Sequence, residues 1–178
     1  MSEKRIVSLG KPITAPALIP VMHSATPMCI NEPFMVEGGC YKVTAISFGS
    51  PHGAVFVDDI SGVDIAKIGS ALSSHRFPKG ASIVFVQILD KDNLKARVWQ
   101  NNTGEVDFTE EAAAVAGVAA MMLQKTLKSE INAHMGGTVT AVKWDRGSNE
   151  VMLSISAVLE QQKPLIKKIY KHFAAALS

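Results

Sequence analysis

The sequence predicts an α+β domain in which a curved, mixed or antiparallel sheet is wrapped around a central apolar helix. Strand-like segments at 81–89 and 94–100 flank one polar turn, and those at 138–145 and 150–156 flank another, which is typical of hairpins. Between the hairpins, residues 112–123 are apolar on every side of a helix and most of them are small. Such a helix has to be enclosed, and its small side chains allow sheet backbone to approach closely.

The N-terminal third of the chain contributes the first elements. Residues 1–39 contain five of the eight prolines, so we expect an extended covering segment with one edge strand near residues 5–9. Runs of β-branched and aromatic residues predict strands at 41–48 and 54–57, and apolar residues near helical spacing predict a short helix over 63–72. Because the clearest pairings are local hairpins, we expect no βαβ crossovers.

Two further helices complete the expected architecture. The central helix is predicted over 110–128, with Thr109 as its N-cap and Glu110 and Glu111 in its first turn. Residues 161–177 carry apolar side chains at every fourth position and lysines elsewhere, which predicts an amphipathic docking helix. The chain is therefore divided into a single domain at 1–158 and a C-terminal helix at 159–178.

Composition excludes several functional classes. Lysine and arginine number 18 against 16 acidic residues. The resulting net charge of +2 lacks the excess of basic residues that is typical of nucleic-acid-binding proteins. No apolar stretch reaches the roughly 20 residues that span a bilayer, and the first residues lack the features of a signal peptide, so we expect a cytoplasmic protein. Cys29 and Cys40 are expected as packing thiols, and the five histidines are too far apart to predict a metal site. We also expect no cofactor.

Several segments, taken in order, resemble one family. They are 43–52, 55–59, 77–86, 97–99, 104–105 and the alanine-rich helix. From about residue 5 to residue 156 the chain resembles the C-terminal half of diaminopimelate epimerase and its relatives, the cofactor-independent racemases and isomerases. The resemblance implies two similar halves, each a barrel-like sheet around a central helix, with the ligand in the cleft between them. This chain resembles one half only.

The catalytic thiol of that family is not retained. The resemblance implies one cysteine from each half as an acid/base pair, because a thiol pKa can be drawn toward neutrality at a helix N-terminus. In this sequence the corresponding position is Thr109. A threonine hydroxyl has a pKa many units higher, so we expect no proton abstraction by a thiol here.

The positions that hold the substrate in the family also differ. Ser50 and Ser82 stand where the family has asparagines, while Gln100 and Asn101 stand where it has glutamate and arginine. These four residues, together with Glu105, are the predicted ligand-binding set. The carboxylates near the helix start satisfy the helix dipole themselves and repel an anionic ligand. The family's contacts to an amino acid are therefore not expected.

Two hypotheses from different classes follow, and a third remains open. The first is a homodimer that has lost the thiol site and binds a small carboxylic or uncharged ligand or serves a structural role. The second is an isomerase of the same family that uses Glu110, Glu111 or His52 as acid/base groups, since relatives resembling phenazine-biosynthesis isomerases use a glutamate. The third is one subunit of a split epimerase.

Each candidate catalytic group also has a structural interpretation. Glu110 and Glu111 would stabilise the first helical turn, and His52 would be a packing residue of the scaffold. In the dimer, we expect five residues to line the region between the subunits: Ser50, His52, Ser82, Gln100 and Thr109.

Overall fold

The computed structural model describes residues 3–157, which form one mixed ten-stranded sheet and two α-helices. The strands are β1 (Glu3–Gly10), β2 (Glu32–Val36), β3 (Gly39–Ser47), β4 (Pro51–Phe56), β5 (Ser82–Ile88), β6 (Asn93–Gln100), β7 (Gly104–Val106), β8 (Glu130–Met135), β9 (Thr138–Asp145) and β10 (Glu150–Ala157). Helix α1 (Ile65–Ser74) follows a short 3-10 turn, Ile60–Gly62, and helix α2 (Glu110–Met122) follows β7. The predicted boundary at 158 and the helix over 159–178 lie outside the described residues.

The sheet encloses α2, as the small-residue pattern predicts. The strand order is β1-β10-β9-β8-β6-β5-β4-β3-β2, with β7 paired to β6. Strands from both halves of this order contact α2, and every residue from Ala112 to Met121 is buried. Sheet and helix approach so closely at Gly117 that a β-carbon there would lie 2.6 Å from Val142 Cγ1. The apolar run is therefore the centre of the fold.

The two predicted hairpins are confirmed, but the expectation of no βαβ crossovers is wrong. Strands β5 and β6 pair antiparallel, as do β9 and β10. However, β4 and β5 are parallel with α1 between them, and β6 and β8 are parallel with α2 between them. A tight turn leaves a local signal in the sequence, whereas a parallel pairing joins strands separated by a whole helix.

A second apolar core lies on the opposite side of the sheet from α2. Helix α1 packs there through Ile68 and Leu72 against β5 residues such as Phe85. The covering segment predicted at the N-terminus is present, since Ile19 and Cys29 belong to this core. Strand β2 was not predicted because Pro33 interrupts an otherwise short apolar run. We refer to this core as the outer core and to the core around α2 as the inner core.

Helix α2 ends at Met122, six residues before its predicted end. Gln124 adopts a left-handed backbone with φ of 56°, and the Lys125 N–H donates to the Ala120 carbonyl at 2.8 Å. This is the hydrogen-bond pattern of a Schellman cap, which glycine usually supplies. Because a glutamine takes the glycine role, the sequence does not signal the stop, and the following strand β8 was missed with it.

Burial separates the two cysteines. Cys29 is buried, as expected for a packing thiol, whereas Cys40 is exposed, so the packing prediction is wrong for Cys40. Trp144 is buried in the inner core, and Trp99 lies half-buried beside α1. In residues 3–157, no helix is both long and apolar enough to cross a membrane. The same residues bring no three His, Cys, Asp or Glu side chains together in a group that could hold a metal ion.

Candidate functional site

A polar depression of about 390 Å³ opens at the N-terminal end of α2. Its lining comes from the loop before β4, from β4 itself, from the facing ends of β5 and β6, and from the helix start. The lining residues are Ser50, His52, Ser82, Gln100, Thr109, Glu110 and Glu111. The parallel pairing of β4 with β5 brings His52 and Ser82 side by side as register partners. Five segments of the chain thus contribute to one surface.

His52 is the most deeply buried polar group of the depression, with 3% of its surface exposed. Its Nδ1 lies 3.0 Å from the Ser50 carbonyl oxygen. Since a carbonyl only accepts, Nδ1 carries the proton, and Nε2 of the neutral ring holds a lone pair. Burial lowers the pKa of His52 below its ordinary value, and the Ser50 carbonyl and Glu111 oppose this more weakly. At neutral pH the imidazole is therefore a neutral hydrogen-bond acceptor at Nε2.

Glu111 lies across the depression from His52. Its Oε2 accepts a hydrogen bond from the Ser50 hydroxyl at 2.6 Å and lies 3.9 Å from His52 Nε2. That second distance exceeds hydrogen-bond length. Ser50, His52 and Glu111 thus form a cluster in which two acceptors face each other without a proton between them. A bound group that donates hydrogen bonds can bridge them.

Glu110 is partnered differently from its neighbour. Its Oε1 lies 2.5 Å from Nη1 of Arg5, on the edge strand β1. Both side chains are partly exposed, so this ion pair is worth less than about 1 kcal/mol. Sequence reasoning missed Arg5, because no local pattern links residues that far apart in the chain. The pair compensates the charge of Glu110 and leaves Glu111 as the carboxylate nearest to His52.

Thr109 caps α2, as predicted from the sequence. Its Oγ1 accepts a hydrogen bond from the Ala112 N–H at 3.0 Å, and its backbone is extended. The hydroxyl therefore satisfies a backbone donor of the first turn and keeps its own proton available for a ligand. Nothing in this arrangement supplies a base at the position where the resemblance implies a thiol.

Ser82 and Gln100 also lie on the depression. The Ser82 Oγ accepts a hydrogen bond from the Asn101 N–H at 3.0 Å, which joins the ends of β5 and β6. Ser82 is buried, so its hydroxyl is held in place. Gln100 is half-buried at the end of β6 and contributes to the lining.

Asn101 and Glu105, two other predicted ligand-binding residues, do not line the depression. Asn101 is held between α1 and the following loop: its Oδ1 accepts from the Ser73 hydroxyl at 3.3 Å and its Nδ2 donates to the Lys79 carbonyl. Glu105 forms a two-pronged ion pair with Arg97, at 2.7 and 2.8 Å. Hydrogen bonding to Glu105 raises the pKa of Arg97. These contacts fasten turns and strands together.

Comparison with known proteins assigns the family. The model of the diaminopimelate epimerase family matches residues 44–157, which is more than half of the chain. The chain belongs to the diaminopimelate epimerase family. Diaminopimelate epimerase is an isomerase, so the chain belongs to a family that contains isomerases.

Relatives in this family align with most of this chain. The diaminopimelate epimerase of Oceanobacillus iheyensis is 32% identical over 155 residues, which cover 86% of this chain and 54% of that protein. That of Leptospira biflexa is 33% identical over 147 residues, or 82% of this chain and 52% of that protein. The chain therefore spans about half the length of the curated relatives it matches.

A solved structure shows the same fold at low sequence identity. The crystal structure of a hydroxyproline epimerase from Agrobacterium vitis, with bound trans-4-hydroxy-L-proline, superposes with a TM-score of 0.56 at 8% identity. The match covers 86% of this chain and 49% of the other. At this identity the likeness concerns the fold alone.

Proposed function

We propose that this epimerase-family protein binds a small, uncharged ligand with hydrogen-bond donors and does not catalyse thiol-based epimerisation. The observation that carries the proposal is the pair of facing acceptors, His52 Nε2 and Glu111 Oε2, 3.9 Å apart. A ligand group with two donor hydrogens, such as an amide NH2 or a pair of hydroxyls, can donate to both, whereas a ligand carboxylate would add a further acceptor beside the side-chain carboxylates. This supports the uncharged alternative over the carboxylic one.

The absence of thiol chemistry rests on Thr109. Its hydroxyl caps α2 through the Ala112 N–H, so the residue has a structural role that needs no ionisation. Cys29 offers no replacement, since it is buried in the outer core and burial raises its pKa to about 11. Within the described residues, neither threonine nor thiol provides a base at the depression.

We further propose a homodimer in which a second copy faces the depression. In the resemblance noted above, a second similar half stands opposite this surface and closes the cleft. A twofold arrangement of two identical copies is the commonest way to supply such a wall. The lining around Ser50 and Glu111 is polar and partly exposed, which suits a water-filled cleft between two subunits. A split epimerase, in which a different chain supplies the facing half, remains the alternative.

A cytoplasmic location completes the proposal. Cys40 is exposed and carries no disulfide to Cys29. Since exposed thiols persist in reducing compartments, this supports the cytoplasm.

A second candidate function is an isomerase that uses Glu111 and His52. The specific observation in its favour is that a carboxylate and an imidazole both line the depression, with Glu111 Oε2 3.9 Å from His52 Nε2. Glu111 would take a proton from the ligand, and His52, after accepting a proton from solvent at Nε2, would give that proton to the ligand. Glu111 would then release its proton to solvent. Glu110 suits this role less well because its charge is paired with Arg5.

One experiment tests for isomerase activity on diaminopimelate. Purified protein is incubated in deuterated water with each stereoisomer of diaminopimelate, and α-deuterium is measured by mass spectrometry. We expect no incorporation above that of heat-treated protein. Incorporation that survives in Thr109→Val but is lost in Glu111→Gln would instead establish the carboxylate isomerase and refute the binding proposal.

Ligand chemistry is tested separately by native mass spectrometry and thermal shift. A panel of polyols and amides is compared with a size-matched panel of carboxylates. We expect binding from the uncharged panel, and weakening of that binding by at least tenfold in Glu111→Gln. Selective binding of carboxylates would contradict the proposed ligand class.

The dimer is tested by light scattering at micromolar concentration. One chain has a mass of 19.0 kDa, so the proposal requires a species of twice that mass. The substitution Gln100→Arg should shift the monomer–dimer equilibrium toward monomer, because it places a large charged side chain in the proposed cleft. A species of about 19 kDa in the unsubstituted protein would refute the homodimer.

A further inference from the structure

We propose that a pocket between Met28, Met122 and Arg146, at the C-terminal end of α2, binds a small monocarboxylate with an apolar body. This distal pocket has a volume of about 320 Å³ and lies at the opposite end of the helix from the polar depression. Small-molecule sites in proteins have volumes of roughly 300–1,000 Å³, so the distal pocket suits a ligand at the small end of that range. The function proposed above does not use this pocket.

The apolar wall of the distal pocket comes from two parts of the chain. Met28 and Ile30 lie on the N-terminal covering segment, and Met121 and Met122 end α2. Methionine side chains are flexible and adapt to apolar bodies of different shapes. Met28 is 40% exposed, so a ligand seated between the segment and the helix would remove apolar surface from water.

The one charged side chain among the described residues that line the distal pocket is Arg146, and no aspartate or glutamate lies beside it there. The chain has four arginines. Three of them pair with a glutamate: Arg5 with Glu110, Arg76 with Glu32 and Arg97 with Glu105. Within residues 3–157, Arg146 has no carboxylate partner. Its guanidinium can therefore pair with the carboxylate of a ligand.

Trp144 holds the Arg146 guanidinium in place. The guanidinium carbon lies 3.7 Å above the centre of the Trp144 ring. That ring is itself fixed, since Trp144 is 7% exposed and its Nε1–H donates to the Asn149 side chain at 2.9 Å. Stacking uses the face of a guanidinium and leaves the N–H groups at its edge free. Those N–H groups are the donors that bind a carboxylate in a two-pronged pair.

The balance of charge favours a monocarboxylate over a doubly charged anion. One guanidinium balances one carboxylate, whereas a phosphate dianion would leave charge uncompensated beside the apolar wall. The end of a helix carries partial negative charge. In α2, however, the carbonyls of Ala119, Ala120 and Met121 already accept hydrogen bonds from the N–H groups of residues 123–125. The carboxylate would bind at Arg146, with the apolar body against the methionines.

Nuclear magnetic resonance of the full ¹⁵N-labelled chain tests this site with octanoate, at concentrations where octanoate is monomeric. The chain has two tryptophans, Trp144 in the distal pocket and Trp99 beside α1. We expect the indole N–H resonance of Trp144 to shift saturably while that of Trp99 stays in place. No saturable shift at Trp144, or a shift at Trp99 alone, would overturn the proposal.

Three related probes test the ligand class. Octanol has the apolar body without the charge, acetate has the carboxylate without the body, and octyl phosphate carries a second charge. We expect each to bind at least about tenfold more weakly than octanoate, because each lacks the apolar contact or the single carboxylate. Equal affinity for octanol or octyl phosphate would refute recognition of a monocarboxylate, and equal affinity for acetate would refute the apolar subsite.

Matched variants test the two halves of the pocket. Arg146→Gln should weaken octanoate binding by about tenfold or more, the loss typical of a charge-assisted hydrogen bond. Its control is Lys143→Gln, which removes a positive charge from the same strand outside the pocket. Met28→Gln should also weaken binding, while Met35→Gln, at an exposed methionine of β2, should not. Equal affinities in Arg146→Gln and Lys143→Gln would contradict the proposed role of Arg146.

A further variant distinguishes this site from the polar depression. Glu111→Gln alters the depression and leaves the distal pocket intact, so octanoate affinity should stay unchanged in this variant. Binding that is lost in Glu111→Gln but kept in Arg146→Gln would place the carboxylate in the depression and overturn the proposal. Loss of polyol or amide binding in Glu111→Gln, in contrast, bears only on the function proposed for the depression.

Discussion

The two ends of α2 differ in their surroundings, because large apolar side chains lie near its end and polar side chains surround its start. Its start opens on the polar depression, where Thr109, Glu110 and Glu111 each have a hydrogen-bond or ion-pair partner. Its end opens on a second depression of about 320 Å³, where apolar residues that include Met121, Met122 and Trp144 lie beside four polar residues.

We expect the end of α2 to contribute mainly to stability and the start of α2 to contribute mainly to ligand binding. Apolar burial contributes most to the free energy of folding, whereas exposed polar contacts contribute little. Substitutions at the end of α2 are therefore expected to destabilise the protein, and substitutions at its start to alter binding while the fold survives. The predictions below test this division, beginning with the largest effect.

The largest loss is expected from Trp144→Ala. Trp144 is 7% exposed, and its Nε1–H donates to the Asn149 side chain at 2.9 Å. Removing the ring leaves a cavity and an unpaired acceptor, which should cost about 3 to 4 kcal/mol of unfolding free energy in urea titrations. The control is Arg146→Ala, which removes only a guanidinium stacked at 3.7 Å above that ring and should cost less than about 1 kcal/mol. Equal losses of unfolding free energy in Trp144→Ala and Arg146→Ala would contradict a stabilising role for apolar burial at this end of α2.

The next effect is on the pH dependence of stability, and it belongs to His52. The unfolded chain binds a proton at the ordinary pKa of 6.5, while burial lowers the pKa of the native imidazole. Because the unfolded state binds more protons, stability falls as pH drops below about 6.5. Unfolding free energies measured between pH 7.5 and 5.5 should show this slope in the unsubstituted protein and a shallower one in His52→Gln. An unchanged slope would contradict a neutral, buried His52.

A smaller loss is expected from removal of the helix cap. Thr109→Val keeps the shape of the side chain but leaves the Ala112 N–H without its partner, at a cost of about 1 kcal/mol. Thr109→Ser, which retains the hydroxyl, should remain within a few tenths of a kcal/mol of the original. Denaturant titration of the two variants tests the capping role. Equal stability of both would show that the hydroxyl is not the cap.

The smallest changes in stability are expected for the first-turn carboxylates. Glu110→Gln and Glu111→Gln should each change the unfolding free energy by under about 1 kcal/mol, as for partly exposed acids at a helix start. The two should differ in binding, because Glu111 faces His52 while Glu110 pairs with Arg5. Titration calorimetry with a ligand found in the screens should show weakening only for Glu111→Gln. If both variants bound the ligand equally weakly, Glu110 would contribute to binding as much as Glu111.

Much of the fold was predictable because its signals are local. The polar turns at 90–93 and 146–149 predict hairpins, and Thr109 followed by two glutamates predicts the start of α2. Where the signal is unusual, prediction failed. Gln124 takes the left-handed position that glycine usually occupies at a helix end. The predicted helix is therefore longer than α2, and strand β8 was not predicted.

The site was predictable in composition but not in contacts. The resemblance singled out the positions that line the depression, including Ser50, Ser82 and Thr109. It gave no information on which way each neighbouring side chain points. Glu105 pairs with Arg97 and Asn101 bridges Ser73 and Lys79, because the turn after β6 directs them away from the depression.

By itself, the sequence determined the burial of α2, since a run of small apolar residues is stable as a helix only when enclosed on every side. It also determined the cap at Thr109 and the antiparallel pairing within the two hairpins, which depend on residues close together in the chain. Only the tertiary structure decided the two parallel pairings, the Arg5 to Glu110 ion pair and the 3.9 Å approach of His52 to Glu111. Each of these joins residues that are distant in the chain, and their meeting depends on how the sheet closes around the helix.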